Sequence, residues 1–591
     1  MRAVGRFFLW LFAILGGLTV ALALAVVTFT LSVRDDAPEL PETAVLQLDL
    51  TRAPMEKRGV APIFNPDPPP TLRETLDALA RAKDDPAVKA VSARVGGAGL
   101  GFAQAQELAA AIRDFRLSGK PAIAFAEDLG AIGDEMADIA VATAFSELWL
   151  QPSGGVGLAG VAIEAPFFRE ALAELEIEPE VGQRHEFKGG IDALVREGYS
   201  PEVERSLQRV VDGWVDQMSA EIALNRGLEP AAVRALVDGG PYLAREAYEA
   251  ALVDRIGYLD EASAALDAAV GGTAQPVSVA RYLSAKQQSE VPAKTVALVY
   301  GVGPIEAMEQ EPDPFFGSES FGPHRVADAL TQALEDDEVA AVLFRVVSPG
   351  GAYGPSDAVR RAVRRLREAG KPVVVSMGDI AGSGGYFVSL DADRIVASPA
   401  TLTGSIGVYS GKLATRGLWS SLGVEWGAIR AGENAGMWSF IDRFEPSQRR
   451  RFDAMLDSVY DDFTGHLARA RGLDAAGVDR AARGRLWLGS DAVEVGLVDR
   501  LGGFREAQEE LRALLDLPAD APLELRLTPQ PKTPWEQAIE WIDGGGGLDG
   551  IAAGATAALI ERRVEPLTGD LALWRALAAG PLAMPPVRVA K

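Results

Sequence analysis

Two glycine-rich segments in the second half of the sequence place a serine in the setting of a nucleophile. The apolar run Ala340–Val347 leads into SPGG (residues 348–351), and the run Val373–Ser376 leads into GDIAGSGGY (residues 378–386). Glycines let backbone N–H groups converge on one spot, and an oxyanion hole needs two such donors beside the nucleophile. Either turn alone is more often an ordinary tight turn with a polar helix cap. Together they indicate acyl transfer at Ser383, which we expect to be exposed at a strand-to-helix turn.

The composition restricts the choice of a base for this serine. The chain has no cysteine, which excludes a cysteine nucleophile, disulfides, iron–sulfur clusters and thiolate zinc sites. It has three histidines: His185, His324 and His466. His324 is predicted in a loop and His466 on a helix with charged neighbours, and neither has an argued role. His185 is therefore the one histidine that competes with a lysine for the role of base.

Charge and motif content exclude several functional classes. The chain has 591 residues, with 58 Lys and Arg against 83 Asp and Glu, and a net charge of −25. Such an acidic chain is unsuited to binding DNA or RNA, which needs a basic surface. The sequence has no Walker A motif and no HExxH motif. We therefore expect no metal, nucleotide or organic cofactor and no ATPase activity of its own.

The N-terminus carries one long apolar segment. The 27 residues Phe7–Val33 contain no charge, whereas about 20 apolar residues suffice to cross a bilayer. The run is longer than a cleaved signal sequence, so it predicts a retained membrane anchor within residues 1–34. Arg2 and Arg6 precede it, which places the short tail in the cytoplasm and the rest of the chain on the other side.

The rest of the chain contains an internal repeat. Residues 77–91 and 328–342 are identical at eight of fifteen positions, and Tyr242–Ala262 and Trp487–Ala507 at ten of 21. Matching segments at a nearly constant spacing are the signature of a duplicated unit. The two predicted copies span about 44–275 and 294–515.

Each copy has the same predicted order of strands and helices. Predicted strands are Val45–Leu50, Ala90–Val95 and Ala122–Ala126 in the first copy, and Val296–Tyr300, Ala340–Val347 and Val373–Ser376 in the second. Predicted helices include Ala103–Arg116 and Ser356–Ala369, and a capping box at Thr71 and Glu74 opens an earlier one. Apolar strands that alternate with amphipathic helices predict a parallel sheet covered by helices.

Three motifs in order resemble peptidase family S49, the signal peptide peptidase A or protease IV family of the ClpP/crotonase superfamily. They are SPGG (348–351), GSGGY (382–386) and LTGSIG (402–407), and the resemblance covers about 44–515. It implies an α/β fold of two tandem ClpP/crotonase-like ββα superhelix domains after an N-terminal transmembrane helix. One departure is Val347, where the family usually has Asn.

The resemblance also implies roles for individual residues in a Ser–Lys dyad. Ser383 falls on the nucleophile of the family. The N–H groups of Gly351 and Gly384 fall on its oxyanion hole, and Ser405 falls on the hydroxyl that holds the lysine amine. The lysine itself is missing from the second copy, because the alignment of the two copies puts Ala435 at its place.

The first copy supplies the missing lysine. Lys188 in HEFKGG falls on Ala435, and the segment fits the GxYK-like motif of the family with Phe for Tyr. Conversely, the first copy lacks the nucleophile and its loop. It reads GGAG (96–99) instead of SPGG, and residues 120–138 contain no Ser, Thr or Cys. Lys188 is therefore predicted as the base, although an ordinary surface lysine in a decayed copy is the alternative. A lysine acts as a base only when neutral, and burial lowers its pKa.

The resemblance implies a membrane-anchored serine endopeptidase of the bacterial inner membrane, with its catalytic part on the periplasmic side. Its substrates would be peptides left in the membrane after signal cleavage. It also implies a homotetramer, with the dyad assembled across neighbouring subunits. The alternatives are a crotonase-type acyl-CoA enzyme, which needs no Ser–Lys pair, and a non-enzymatic membrane scaffold. The C-terminal extension, 530–591, contains the glycine run 544–547 and an alanine-rich stretch, and its role is open.

Overall fold

The computed structural model describes residues 40–58, 69–130, 135–286, 294–307 and 321–530, together with the backbone of residues 582–583. The predicted membrane anchor and the alanine-rich stretch of the C-terminal extension lie outside these residues. Within the described ranges, no helix has the length and apolar character that a bilayer crossing requires. Residues 40–286 are called the first half below, and residues 294–530 the second half.

The first half contains one sheet of six parallel strands in the order β8-β4-β3-β2-β1-β9. Its central strand β3 is buried at all five positions, as expected of a parallel sheet that is covered on both faces. The strands of this half are β1 (Ala44–Leu50), β2 (Val88–Val95), β3 (Ala122–Ala126), β4 (Glu147–Leu150), β5 (Gly155–Val156), β6 (Glu178–Gln183), β7 (Tyr242–Leu243), β8 (Arg255–Ile256) and β9 (Gln275–Ser278).

The second half repeats this order as β18-β14-β13-β11-β10-β19. Strand β13 has ten residues where β3 has five, so its second part also pairs with β15, which is followed by antiparallel β17. The strands are β10 (Lys294–Val302), β11 (Val339–Ser348), β12 (Gly350–Gly351), β13 (Val373–Gly382), β14 (Arg394–Ala397), β15 (Leu402–Gly404), β16 (Tyr409–Ala414), β17 (Leu486–Leu488), β18 (Arg500–Leu501) and β19 (Leu523–Leu527), with β20 (Leu582–Ala583) in the extension.

Helices cover both sheets. The first half has Leu72–Asp84, Phe102–Arg116, Met136–Ala142, Arg169–Glu174, Asp192–Val195, Pro201–Arg226, Pro230–Gly239, Ala244–Glu249, Leu259–Val270 and Val279–Ala285. The second half has Pro323–Glu335, Tyr353–Glu368, Gly384–Phe387, Arg416–Ser421, Pro446–Arg471, Ala475–Ala481, Gly489–Glu494 and Phe504–Leu514. The two longest helices each begin with a proline and end at a left-handed glycine, Gly227 and Gly472, which are the residues that helix ends favour.

The predicted alternation of strands and helices is confirmed in both halves. The predicted capping box is also present: Thr71 Oγ1 accepts from the N–H of Glu74 at 3.3 Å, and Glu74 accepts from the N–H of Thr71 at 2.9 Å. The second sheet continues past the predicted end of its copy at residue 515, because β19 forms its edge beside β10. The domain boundaries themselves stay a prediction.

The two halves meet along a continuous surface, here called the seam. Leu402, Leu488 and Phe504 of the second half belong to the same buried apolar cluster as the core of the first half. Trp214 Nε1 donates to the carbonyl oxygen of Ala400 at 2.9 Å. Strand β6 of the first half pairs antiparallel with β16 of the second. The seam is therefore packed like a protein interior, which fixes residues of one half against the other.

Candidate active site

Strand β13 delivers Ser383 to a strained turn. Ser383 follows the last strand residue, Gly382, and directly precedes the short helix Gly384–Phe387. Its φ is 55° and its ψ is −114°, a backbone conformation that residues other than glycine rarely adopt. The N–H of Ser383 donates to the carbonyl oxygen of Gly404 at 2.8 Å. A nucleophile elbow has this strand–turn–helix geometry, in which the serine points away from the sheet.

The expectation that Ser383 is exposed is wrong. Its side chain has no exposed surface. The reason is that the turn lies at the seam, where the first half covers it. The amine of Lys188, a residue of the first half, contacts the hydroxyl of Ser383, with Nζ 2.7 Å from Oγ. The sequence locates the turn but does not reveal that another part of the chain closes over it.

Pairing of β6 with β16 brings Lys188 to the serine. The register places Gln183 opposite Tyr409, and the N–H of Arg184 donates to the carbonyl oxygen of Val408 at 2.9 Å. The chain then turns at residues 185–188, directly beside the segment that carries Ser405. Gly484 packs so closely on this turn that a Cβ there would lie 2.4 Å from the backbone nitrogen of Lys188.

The amine of Lys188 contacts three oxygen atoms. Its Nζ lies 2.7 Å from Ser383 Oγ, 2.7 Å from the carbonyl oxygen of Ser405 and 3.0 Å from Ser405 Oγ. A neutral amine has two hydrogens and one lone pair. If the two hydrogens are donated to Ser405, the lone pair faces the hydroxyl of Ser383 and can accept its proton. The two predicted dyad residues and the predicted orienting serine are therefore in contact within one chain.

Burial holds the pKa of Lys188 well below its ordinary value. The side chain has no exposed surface, and removing an ammonium group from water disfavours its charged form. The ring of Tyr409 lies close to the amine, with its centroid 5.9 Å from Nζ. The lowered pKa favours the neutral form of the amine, which a lysine base requires.

The loop after β11 lies against the start of the helix Gly384–Phe387. A Cβ on Gly384 would lie 3.0 Å from the nitrogen of Gly351, so the two backbones are in close approach. A Cβ on Gly351 would lie 2.0 Å from the carbonyl oxygen of Ile305, which explains why glycine is needed there. The backbones of Gly351 and Gly384 are thus neighbours beside Ser383, and their predicted role as an oxyanion hole stays a prediction.

The corresponding loop of the first half is already occupied by acidic side chains. The N–H of Gly97 donates to Glu135 at 2.9 Å, and the N–H of Gly99 donates to Asp138 at 3.1 Å. In the first half, two N–H groups of this loop therefore already donate to carboxylates. The equivalent loop of the second half is the one that contains Gly351. The loop of the first half cannot also stabilise a substrate oxyanion, which agrees with the loss of the SPGG motif from the first copy.

The three histidines are not brought to Ser383 by any contact found among the described residues. His185 packs on Tyr460, with ring centroids 4.5 Å apart. His466 packs edge-on against Phe387, with centroids 5.8 Å apart. His324 lies in the first turn of the helix Pro323–Glu335 and not in the predicted loop. The geometry thus favours Lys188 over His185 as the partner of the serine.

A buried ion cluster across the seam was missed by the sequence reasoning. Arg345 on β11 has no exposed surface and donates to Glu56 at 3.0 and 2.9 Å, to Glu107 at 2.7 Å and to Ser376 at 2.9 Å. Both carboxylates come from the first half. Burial alone would lower the pKa of Arg345. The neighbouring carboxylates of Glu107 and Glu56 outweigh burial and raise this pKa above its ordinary value. An arginine within the apolar run of β11 was the available signal, yet its partners were not predictable.

Asp379 makes a second link across the seam, four residues before Ser383. Its Oδ1 accepts from the N–H groups of Ala103 and Gln104 at 2.8 and 3.2 Å, at the start of the helix Phe102–Arg116. A Cβ on Gly101 would lie 2.1 Å from this carboxyl group. Burial and the nearby Glu56 carboxylate raise the pKa of Asp379 to about 6. The strand that carries the serine is thus fixed to the half that carries the lysine.

Comparison with known proteins gives consistent matches. The model of Peptidase family S49 matches this chain twice, over residues 114–272 and 365–518. The chain is 28% identical to Protease 4 of Salmonella typhi over 76% of its own length and 72% of that protein. It is 29% identical to Protease 4 of Haemophilus influenzae, over 75% and 73%. It is also 32% identical to a putative signal peptide peptidase SppA of Enterococcus faecium, over 33% of this chain and 57% of that protein.

Proposed function

Because this chain belongs to peptidase family S49 and is a serine peptidase, we propose that Ser383 and Lys188 are its catalytic dyad. The observation that carries the proposal is the 2.7 Å contact between Lys188 Nζ and Ser383 Oγ, where neither side chain has exposed surface. The lowered pKa of Lys188 supports a neutral amine at this position. Ser405 orients the amine through its hydroxyl and its carbonyl oxygen.

Peptide hydrolysis at this site follows from these contacts. Lys188 takes the proton of Ser383 while Oγ attacks the carbonyl carbon of the substrate. The N–H groups of Gly351 and Gly384 stabilise the resulting oxyanion. The ammonium group of Lys188 then gives its proton to the departing amine, leaving an acyl-enzyme. Water, deprotonated by the same amine, releases the acyl group and restores the serine.

We further propose that each half is a ClpP/crotonase-like ββα superhelix, with boundaries near 44–275 and 294–515. The shared strand order of the two sheets supports this. The active site would then combine two diverged copies, one keeping the lysine and the other the serine. In this proposal the protein is a homotetramer in which each chain contains its own dyad.

The proposed substrates are signal peptides left in the membrane after cleavage, hydrolysed without ATP. The apolar segment Phe7–Val33 would anchor the enzyme in the bacterial inner membrane, with the active site on the periplasmic side. The similarity to a putative signal peptide peptidase of Enterococcus faecium supports the substrate class. Membrane fractionation checks the anchor: the full chain should sediment with membranes and resist carbonate extraction, and recovery in the soluble fraction would contradict it.

Covalent labelling tests the dyad directly. A fluorophosphonate probe should label the full-length protein at Ser383, and Ser383→Ala should lose both labelling and peptide-ester hydrolysis. Ser398→Ala is the matched control, because Ser398 is also a buried serine, and its hydroxyl donates to the carbonyl oxygen of Gly502 at 3.4 Å. The proposal fails if Ser383→Ala is still labelled, or if the probe is found on another residue.

A further inference from the structure

The turn before strand β17 is fixed to the segment that carries Ser405. It consists of residues 483–485 and is called the 483–485 turn below. The N–H of Ser405 donates to the carbonyl oxygen of Arg485, and the N–H of Gly484 donates to the carbonyl oxygen of Ile406, both at 2.7 Å. The turn therefore lies directly beside the serine whose oxygen atoms contact the active-site amine.

The side chains of the same turn hold the segment that carries Lys188. Arg483 donates through Nε and Nη2 to the two carboxylate oxygens of Glu186, each at 3.0 Å. The guanidinium group of Arg485 lies over the ring of Phe187, 4.4 Å from its centroid. A planar guanidinium with two bonds to one carboxylate restricts the orientation of that group as well as its position. The 483–485 turn thus fixes the two residues that precede Lys188.

The side chain of Lys188 passes between two glycines. A Cβ on Gly484 would lie 2.4 Å from the nitrogen of Lys188 and 2.7 Å from its Cα, and a Cβ on Gly407 would lie 3.1 Å from its Cδ. Gly484 is the central residue of the 483–485 turn. The position of Nζ against Ser383 therefore depends on how this turn holds the backbone of Lys188.

Two residues at this contact have a left-handed backbone although neither is glycine. The φ angle is 67° at His185 and 63° at Arg483. Such conformations cost energy and persist where the surrounding structure imposes them, often at functional sites. The carbonyl oxygen of His185 accepts from the N–H of Lys188 at 3.4 Å, so one of the two strained residues closes the turn that carries the base. The contact thus maintains one particular geometry of this turn.

We propose that Arg483 is a positioning residue for the base: its two bonds to Glu186 hold the turn that carries Lys188 in the geometry in which the amine faces Ser383. The inference rests on the proposed function, because it takes Lys188 as the base. The side chains of Arg483 and Glu186 are 30% and 35% exposed, and ion pairs this accessible contribute little to stability. Loss of the pair should therefore affect catalysis rather than folding.

Loss of the pair should change kcat and the pH profile. A displaced amine takes the proton of Ser383 less readily, and misplacement by about 1 Å can cost on the order of 100-fold in rate. A loosened turn also admits water, which raises the pKa of Lys188 toward its ordinary value, because burial is what lowers it. The ascending limb of the pH profile should then move to higher pH. The apparent KM should stay the same, because the base acts on the serine and not on the bound peptide.

The test uses full-length Arg483→Met and Glu186→Met and a short peptide ester. Each variant should lower kcat by about 10-fold or more, and each should move the ascending limb to higher pH. Charge alone predicts opposite shifts, because a lost positive charge raises the pKa of Lys188 and a lost negative charge lowers it. Neither variant alters the other titratable or charged side chains around this contact, which are His185, Tyr409, Tyr460, Asp479 and Arg485.

Two further variants complete the set. The double variant Arg483→Met, Glu186→Met should be no worse than Arg483→Met alone, because the effects of two residues that act through one contact do not add. Arg209→Met is the matched control: Arg209 also makes two bonds across the seam, to Asp491 at 2.9 and 2.7 Å, and neither residue belongs to the 483–485 turn or to the turn that carries Lys188. This control should keep the kcat and the pH midpoint of the wild type.

Three outcomes would overturn the inference: a wild-type kcat and midpoint in Arg483→Met, limbs that move in opposite directions in the two single variants, or additive losses in the double variant. A smaller labelled fraction with an unmoved midpoint would also contradict it, since that result indicates only impaired folding. Fluorophosphonate labelling of the wild type separates these failures from failure of the proposed function. If the wild type is labelled at Ser383, the dyad stands and only the positioning role is wrong; if it is not, the proposed function itself fails.

Discussion

Lys188 Nζ lies 2.7 Å from Ser383 Oγ, although the two residues belong to different halves of the chain and are 195 positions apart. The contact exists only because β6 pairs with β16 and because the seam is closely packed. Each half on its own would keep one functional group and lack the other. In the proposed mechanism, duplication followed by complementary loss makes the seam part of the catalytic machinery.

Replacement of Lys188 should abolish activity whether or not the charge is kept. Lys188→Arg and Lys188→Met should each lower kcat/KM for a peptide ester by at least about 100-fold, since a general base contributes roughly 100-fold or more and arginine does not deprotonate in proteins. Lys412→Met is the control: this lysine donates to the carbonyl oxygen of Ser439 and contacts Phe444, away from the serine. Activity in the arginine variant would show that Lys188 is not the base.

Mixing two inactive chains should not restore activity. In this structure both dyad residues of a site come from one chain, so every chain in a mixed oligomer of Ser383→Ala and Lys188→Met lacks one of them. Co-expressed, differently tagged chains purified through both tags should be as inactive as either variant alone. If the dyad were instead shared between neighbouring subunits, about a quarter of the sites would be intact in a random closed ring. Recovery near that level would contradict the single-chain site.

The pH profile should show one ascending limb that belongs to Lys188. Burial lowers the pKa of Lys188, and below that pKa the ammonium group cannot accept the proton of Ser383. Hydrolysis and fluorophosphonate labelling should therefore both rise with pH through the same midpoint, below the ordinary lysine range. His185→Gln is the control, because burial also lowers the pKa of His185. A limb that vanishes in His185→Gln would transfer the role of base to the histidine.

The sequence predicted the parts of the site better than their arrangement. Alternation of apolar strands and amphipathic helices predicted the parallel sheets, because that pattern depends on local burial. The alignment of the two repeats predicted Lys188 as the base, and in the structure its amine contacts the hydroxyl of Ser383. The predicted exposure of Ser383 was wrong, because local pattern contains no information on which distant segment covers a turn. The pairing of β6 with β16 was not predictable for the same reason.

The ion cluster around Arg345 should control the stability of the seam. Arg345→Met leaves Glu56 and Glu107 buried without their partner, which typically costs about 3–5 kcal/mol of unfolding free energy. The triple variant Arg345→Met, Glu56→Met, Glu107→Gln should recover part of that loss, because the glutamine still accepts from the N–H of Phe504. Urea unfolding of the three proteins checks this. A loss below about 1 kcal/mol in the single variant would show that the cluster is not a stability determinant.

Asp379 should make folding stability depend on pH in the mildly acidic range. Burial and the nearby Glu56 raise the pKa of Asp379 to about 6, whereas an aspartate in the unfolded chain titrates near 3.9. Between these two values the folded protein holds a proton that the unfolded chain has released. The free energy of unfolding contributed by this group therefore falls as the pH rises from about 4 to above 6, by a total on the order of 3 kcal/mol.

Asp379→Asn should remove this dependence, because asparagine does not titrate and its oxygen still accepts from the N–H groups of Ala103 and Gln104. Near pH 4 the variant and the wild type should be similar in stability, and at pH 7 the variant should be the more stable. Urea unfolding at pH 4, 5, 6 and 7 measures the difference. Parallel stability curves over this range would contradict the assignment of the titration to Asp379, and a variant that is less stable at pH 7 would show that the carboxylate strengthens the seam through its charge on the helix N-terminus.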